Sequence, residues 1–234
     1  MTLQKVKLFF LDHLRLPTWK ELLQQFKKET LICKVCDEPI PKPDLLSVFV
    51  DKPTICPRCY AKFNRIYDRF VVNNVQATAL FEYSGYMKDA IYKYKGYFDF
   101  EMSRVFLEYD LMGLKIRYED YIVIPAPSTE ESISKRGFNH VVEIYSHLGL
   151  EIADCLVKTN LSDQKEKDFV GRKKIVGTLR LKDGYYFQGK KLLLVDDVYT
   201  TGSTIKAMIE TLSKQKPRKM EVLVIAKVNG KKKR

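Results

Sequence analysis

Apolar residues follow two periods along the chain. Tyr121-Ile122-Val123-Ile124, Leu192-Leu193-Leu194-Val195 and the run from Val222 to Ala226 are continuous, and each predicts a strand buried on both faces. Val141, Ile144, Tyr145 and Leu148 recur at helical spacing, so a helix is predicted from Asn139 to Leu148, with Gly149 at its C-terminal end. Ile205, Met208, Ile209 and Leu212 mark a second helix, and Pro217 breaks the pattern before the last strand, Glu221 to Ala226. Ile152 to Val157 predicts a further strand, and Thr178–Leu181 with Tyr185–Phe187 around Asp183-Gly184 predicts a hairpin. Residues 159–177 are polar and aperiodic, the pattern of a long loop such as a lid. Trp19, Leu22, Leu23 and Phe26 give one apolar face to a helical lead-in over residues 1–30. From about residue 63 onward helical and strand patterns alternate, which predicts an α/β sheet.

The sharpest break in the pattern follows Val195. The apolar run ends in Asp196 and Asp197, continues as Val198-Tyr199-Thr200-Thr201-Gly202-Ser203-Thr204, and then enters the second helix. Such a strand–loop–helix aims backbone N–H groups and the positive end of the helix dipole at one spot, which favours an anion. Small side chains let a phosphate approach, and the hydroxyls of Thr200, Thr201, Ser203 and Thr204 add donors around Gly202. The two carboxylates repel a phosphate; they suit sugar hydroxyls or a hydrated Mg²⁺. Together these residues describe a phosphoribosyl-binding site. A strand–turn–helix whose acids merely cap the helix is the competing reading. Pro125-Ala126-Pro127-Ser128 ends another strand in an irregular turn, at the sheet edge where open α/β folds bind ligands. The chain contains neither G-x-x-x-x-G-K-[ST] nor G-x-G-x-x-G, which argues against a P-loop nucleotidase and a dinucleotide fold.

Of five cysteines, four form two C-x-x-C pairs, Cys33/Cys36 and Cys56/Cys59, nineteen residues apart. This is the spacing of a four-thiolate Zn²⁺ site, closed and therefore structural. The prolines between the pairs suit a ribbon of turns and short strands, and Cys155, in an apolar stretch, reads as a buried thiol. Two domains are expected: residues 1–62, lead-in and zinc ribbon, and residues 63–234, the α/β domain. With no apolar run of roughly 18–20 residues, and Asp12 closing the short run Leu8–Leu11, a cytoplasmic protein is expected.

The net charge of +12 and the terminal Lys231-Lys232-Lys233-Arg234 point to an anionic partner, nucleic acid first, against a plain solvated lysine-rich surface. Between Phe81 and Phe98 aromatics interleave with lysines. On a strand, Tyr94 would face one way and Lys93 and Lys95 the other, the pairing by which single-stranded DNA is stacked and its phosphates followed. The competing reading makes these aromatics core.

The stretch Asp196–Thr204 resembles the phosphoribosyl pyrophosphate (PRPP) loop of type I phosphoribosyltransferases. The order of zinc ribbon, aromatic-lysine segment, Pro-x-Pro turn, Lys135-Arg136-Gly137-Phe138-Asn139 and PRPP loop resembles the ComF family of late competence proteins, GntX-like members included. The resemblance implies a type I phosphoribosyltransferase-like parallel-sheet domain joined to a zinc module. It implies a part in the uptake of transforming single-stranded DNA, with a DNA-translocating helicase as partner. It places ribose on Asp196 and Asp197, the 5′-phosphate on Thr200 to Thr204, and pyrophosphate against Pro125 to Ser128; Arg136 is a further candidate for DNA contact. The alternative is an active PRPP-dependent transferase, with Mg²⁺ beside the pyrophosphate. Departures from the pattern are Tyr199 for an aliphatic residue, His140 for glutamine, Ser162 before Gln164 at altered spacing, and Ile175 for asparagine. Arg172 fits. His140 is read as a surface or capping residue rather than a general base, and no catalytic residue is assigned.

Overall fold

The computed structural model of the chain describes residues 31–41, 52–97, 100–158 and 179–229. The lead-in helix over 1–30, the lid positions Ser162, Gln164, Arg172 and Ile175, and the basic tail lie outside them.

Strands β1 (Arg65–Val72) and β2 (Val75–Glu82) form an antiparallel hairpin. Its turn, Asn73-Asn74, has φ of 45° and 63°, a conformation asparagine tolerates better than most residues. β3 (Tyr121–Pro125) follows, then the short pair β4 (Leu156–Lys158) and β5 (Leu179–Leu181), then β6 (Lys191–Tyr199) and β7 (Lys219–Lys227). The main sheet runs β1-β2-β7-β6-β3, parallel from β2 to β3 with β1 antiparallel at the edge. The apolar run of β6 divides between the two faces as strand geometry requires. Leu193 and Val195 join one core cluster, with Ile144, Tyr145 and Leu223. Leu192 and Leu194 join the other, with Ile205, Met208, Ile209 and Leu212. Each such fully buried side chain stabilises the fold by about 1.5–3 kcal/mol.

The described helices are α1 (Pro57–Tyr60), α2 (Gly85–Tyr97), a 3₁₀ turn (Phe100–Phe106), α3 (Leu111–Arg117), α4 (Glu130–Arg136), α5 (His140–Ser146) and α6 (Ser203–Ser213). None is long and apolar enough to cross a membrane. α5 starts at an Asn139 side-chain cap and is followed by Gly149 at φ 65°. α4 ends at Gly137, φ 79°.

Three expectations are corrected. Asp183-Gly184 does turn the chain, but Tyr185–Phe187 forms no strand; β5 pairs antiparallel with β4 instead. The strand expected over Ile152 to Val157 reduces to β4 plus one parallel bridge from Ile152 to Val123. The aromatic-lysine segment is helical from Gly85, so its side chains step round by about 100° rather than alternating. Tyr94 is fully buried, its ring 5.4 Å from Phe106 and 5.8 Å from Phe138, and its hydroxyl donates to the His140 carbonyl at 3.0 Å. No base can stack there. Tyr86 and Tyr92 of this helix are exposed.

Candidate functional site

The parallel strands deliver their carboxyl ends to one cleft of about 260 Å³, lined by Lys95, Ala126, Pro127, Ser128, His140, Asp196, Asp197 and Thr204 among others. β6 runs through both acids to Tyr199, further than the apolar pattern alone indicates. Strand alternation turns Asp196 and Asp197 to opposite faces. The buried Tyr145 hydroxyl anchors the strand there, donating to the carbonyls of Asp196 (2.9 Å) and Leu223 (3.0 Å).

Each oxygen of Asp197 is engaged. Oδ1 accepts the Val198 N–H at 2.8 Å; Oδ2 forms an ion pair with Lys95 Nζ and lies 3.5 Å from His140 Nε2. Burial alone would raise this carboxyl, yet His140 and Lys95 outweigh it and hold Asp197 well below the usual carboxylate range. Asp196 goes the other way: burial, then repulsion from Asp197, pushes it up to about 8, while its Oδ1 accepts the Asp197 N–H at 2.9 Å. The pair therefore carries one negative charge near neutral pH, and an ammonium already sits on it. This does not fit a resident divalent cation, so the expected Mg²⁺ is not supported at these carboxylates.

The loop after β6 is short and tight. Gly202, at φ 72°, starts α6, and a Cβ there would lie 2.3 Å from the Tyr199 hydroxyl. Thr204 lines the cleft, whereas Thr200, Thr201 and Ser203 stand exposed, Thr201 Oγ1 accepting the Ser203 N–H at 3.4 Å. On the opposite wall, Pro125 ends β3, and the Ala126 N–H bonds the Val195 carbonyl at 2.8 Å, so the turn through Ser128 is tied to the acidic strand. Ser128 Oγ donates to Asn139 Oδ1 at 3.2 Å, which also caps α5 through Val141 N–H. Arg136 is the last residue of α4.

The cysteines form a second centre. Cys33 to Cys36 closes one turn, in which the Cys33 carbonyl accepts the Asp37 N–H at 2.8 Å with Asp37 at φ 59°. Cys56 caps α1, its sulfur accepting the Cys59 N–H at 3.4 Å, while Cys33 Sγ accepts the Cys56 N–H at 3.3 Å. All four Sγ atoms lie within 4.8 Å of one another. Burial opposes ionisation of Cys36, but the Glu38 amide and the neighbouring sulfurs bring it down to about 7. Four thiols so placed, three of them buried, fit one soft, tetrahedral metal ion, held by Cys33, Cys36, Cys56 and Cys59. The module is not detached. Cys33, Ile55, Cys56, Cys59 and Phe63 belong to the same core cluster as Leu80 and Phe81, and Glu108 accepts Thr54 N–H and Oγ1–H at 2.8 and 2.5 Å. Cys155 is the buried thiol expected, raised to about 11 by burial.

Residues 132–234 match the phosphoribosyl transferase domain family. A competence protein ComFC from Streptococcus pneumoniae is 33% identical over 141 residues, covering 59% of this chain and 62% of that protein. A competence protein ComFC from Bacillus subtilis is 24% identical over 195 residues, 80% of each chain. The chain is similar in sequence to these two competence proteins, and spans 62% of the length of the first. The match to the phosphoribosyl transferase family covers the C-terminal part of the chain, and the four-cysteine cluster precedes it. A hypoxanthine phosphoribosyltransferase from Staphylococcus aureus overlaps 52% of this chain and 61% of its own, with TM-score 0.34 and 15% identity.

The structure brings Asp196, Asp197 and Thr204 to one cleft with Ala126, Pro127 and Ser128, leaves Thr200, Thr201 and Ser203 exposed, and separates the residues expected to contact DNA. Lys93 donates to the Lys34 carbonyl at 3.2 Å and pairs with Asp37 at 3.3 Å, on the cysteine module; Lys95 enters the cleft; Tyr94 lies in the core between them. His140 is buried beside Asp197 rather than on the surface, and Asn139 does the capping. Lys158 and Ser132 also line the cleft and had no motif to announce them. Lys95 was expected to contact DNA, and its carboxylate partner lies 102 positions away in the sequence.

Proposed function

We propose that this chain binds a phosphoribosyl ligand, PRPP or a ribose 5-phosphate relative, in the cleft at the carboxyl ends of β3 and β6. We further propose that it serves competence in the cytoplasm, handling transforming single-stranded DNA beside a DNA-translocating helicase, with one structural Zn²⁺ on its four cysteines. The observation that carries the ligand reading is the convergence of Asp196, Asp197, Thr204 and the turn through Ser128 on one cleft. Sugar hydroxyls suit the acids, and the N-terminus of α6 suits the 5′-phosphate. The competence reading rests on the two ComFC relatives, and the DNA reading on the +12 charge.

The test is titration calorimetry of the full chain with ribose 5-phosphate and PRPP, beside anisotropy titrations with single-stranded DNA at several salt concentrations. Asp196→Asn combined with Asp197→Asn is expected to weaken sugar-phosphate binding about tenfold or more, since the one charged acceptor, Asp197, is lost together with the Asp196 carboxyl. DNA affinity should fall steeply with salt as counterions are released. No heat with either sugar phosphate refutes the ligand reading; no DNA binding at low salt refutes the handling reading. A second reading, PRPP-dependent transfer in nucleotide metabolism, is favoured by the Pro127–Ser128 turn facing the acids across the same cleft. Pyrophosphate release on incubation with PRPP and free bases would establish it.

A further inference from the structure

We propose that Lys95 is a built-in counter-ion of the acidic pair, standing where a phosphoribosyl site would otherwise recruit a divalent cation, so that this cleft takes sugar monophosphates without metal. The second half rests on the phosphoribosyl reading above; the first half does not. Three observations carry it.

The first is position. Lys95 sits near the C-terminal end of α2, on an element that belongs neither to the strand–loop–helix nor to the turn, yet its ammonium pairs with Asp197 Oδ2 inside the cleft. The Asp197 side chain is 8% exposed and that of Lys95 31%, so the contact is largely removed from water and stronger than a surface pair. The second is saturation. Asp197 Oδ1 is taken by the Val198 N–H, Oδ2 by Lys95 with His140 3.5 Å away, and Asp196 Oδ1 by the Asp197 N–H. A cation could reach the Asp197 oxygens only by displacing an ammonium already in place. The third is charge balance. Asp196 and Asp197 are the acidic residues lining the cleft, and Lys95 and Lys158 are its lysines. Lys95 on Asp197 Oδ2, with His140 Nε2 3.5 Å away, already brings positive charge to the pair. A doubly charged ion would leave the site in excess of positive charge, whereas a sugar phosphate brings its own negative charge to Lys158 and the α6 N-terminus.

Lys95 thereby acts through Asp197: it is a positioning residue that keeps the carboxylate ionised and fixed for a ribose hydroxyl. It also sets specificity, favouring a 5′-phosphorylated ribose over a metal–pyrophosphate complex. Lysine is suited to this as a compact point charge on a flexible stem.

The test uses the full chain and Mn²⁺ as a divalent probe, read by electron paramagnetic resonance of the free ion. Wild type is expected to show no Mn²⁺ site at the acidic pair. Lys95→Met should gain one, tightening Mn²⁺ uptake about tenfold, and Lys95→Arg should not. Adding Asp197→Asn to Lys95→Met should abolish the gain. A merely structural role for Lys95 would not create a metal site. Equal Mn²⁺ uptake by wild type and Lys95→Met overturns the proposal, as does a gain that survives Asp197→Asn. In parallel, ribose 5-phosphate affinity of wild type should be the same with and without added Mg²⁺, while that of Lys95→Met should fall about tenfold without added Mg²⁺ and recover on its addition. Wild-type binding that requires Mg²⁺ overturns the proposal. Absence of ribose 5-phosphate binding in both conditions refutes the ligand reading, and the Mn²⁺ comparison still decides the role of Lys95.

Discussion

Replacing Tyr94 separates a base-stacking residue from a core residue, because the two roles respond oppositely to two substitutions. Tyr94→Phe keeps the ring and removes the hydroxyl that donates to the His140 carbonyl at 3.0 Å. That costs the net worth of one buried hydrogen bond plus part of the penalty for an unpaired carbonyl, about 1–2 kcal/mol. For a chain of this size this lowers Tm by roughly 3–6 °C. Tyr94→Ala also empties the space between Phe106 and Phe138, whose ring centroids lie 5.4 and 5.8 Å away. Truncating a fully buried aromatic side chain costs about 3–5 kcal/mol. Urea unfolding followed by circular dichroism measures both, and anisotropy with single-stranded DNA, run well below each variant's melting temperature, supplies the second axis. The core role predicts graded loss of stability in the order wild type, Phe, Ala, with unchanged DNA affinity for the folded Phe variant. Two results would refute the reasoning: Tyr94→Ala within about 0.5 kcal/mol of wild type, the scale of an ordinary surface substitution, or folded Tyr94→Phe with markedly altered DNA affinity.

Metal analysis of protein purified without chelators is expected to give one Zn²⁺ per chain, lost on Cys36→Ser. Because Cys33, Cys56 and Cys59 share a core cluster with Leu80 and Phe81, chelation should lower the melting temperature of the whole chain rather than of the ribbon alone; an unchanged main transition on a calorimetric scan counts against this. Asp196 holds its proton up to about pH 8 in the folded chain but releases it near 4 when unfolded. A raised folded pKa gives stability that is fully present below the unfolded value and is lost as pH rises through that window. Asp196→Asn should therefore flatten the fall in stability between about pH 4 and 8, measured by urea midpoints across pH; an unchanged slope rejects the assignment.

The cysteine cluster and the passage from strand to helix between Asp196 and Thr204 were legible because they are written locally: a tight turn needs only neighbours, and spacing fixes which sulfurs converge. The same holds for the apolar runs of β3, β6 and β7. Lys93-Tyr94-Lys95 failed for the opposite reason. Three residues of alternating character fit either period, and only the full 13-residue helix shows that Lys93 and Lys95 leave it in different directions. The partner of β5 could not be read from its own sequence either, since β4 lies more than twenty residues upstream and competes with the nearer Tyr185–Phe187. His140 misled because a residue at a helix start is usually solvated, and its burial depends on Asp197 arriving from another strand.

Helix α2 has one consequence that reaches across the molecule. Three successive side chains leave it for three different places: Lys93 to the backbone of the first cysteine turn, Tyr94 to the carbonyl that begins α5, and Lys95 to the carboxylate of β6. The thiol cluster and the cleft are thus fastened to one short rigid rod. If a metal on the thiols and an occupant of the cleft feel one another through this rod, thermodynamic reciprocity requires that each change the other's affinity by the same factor.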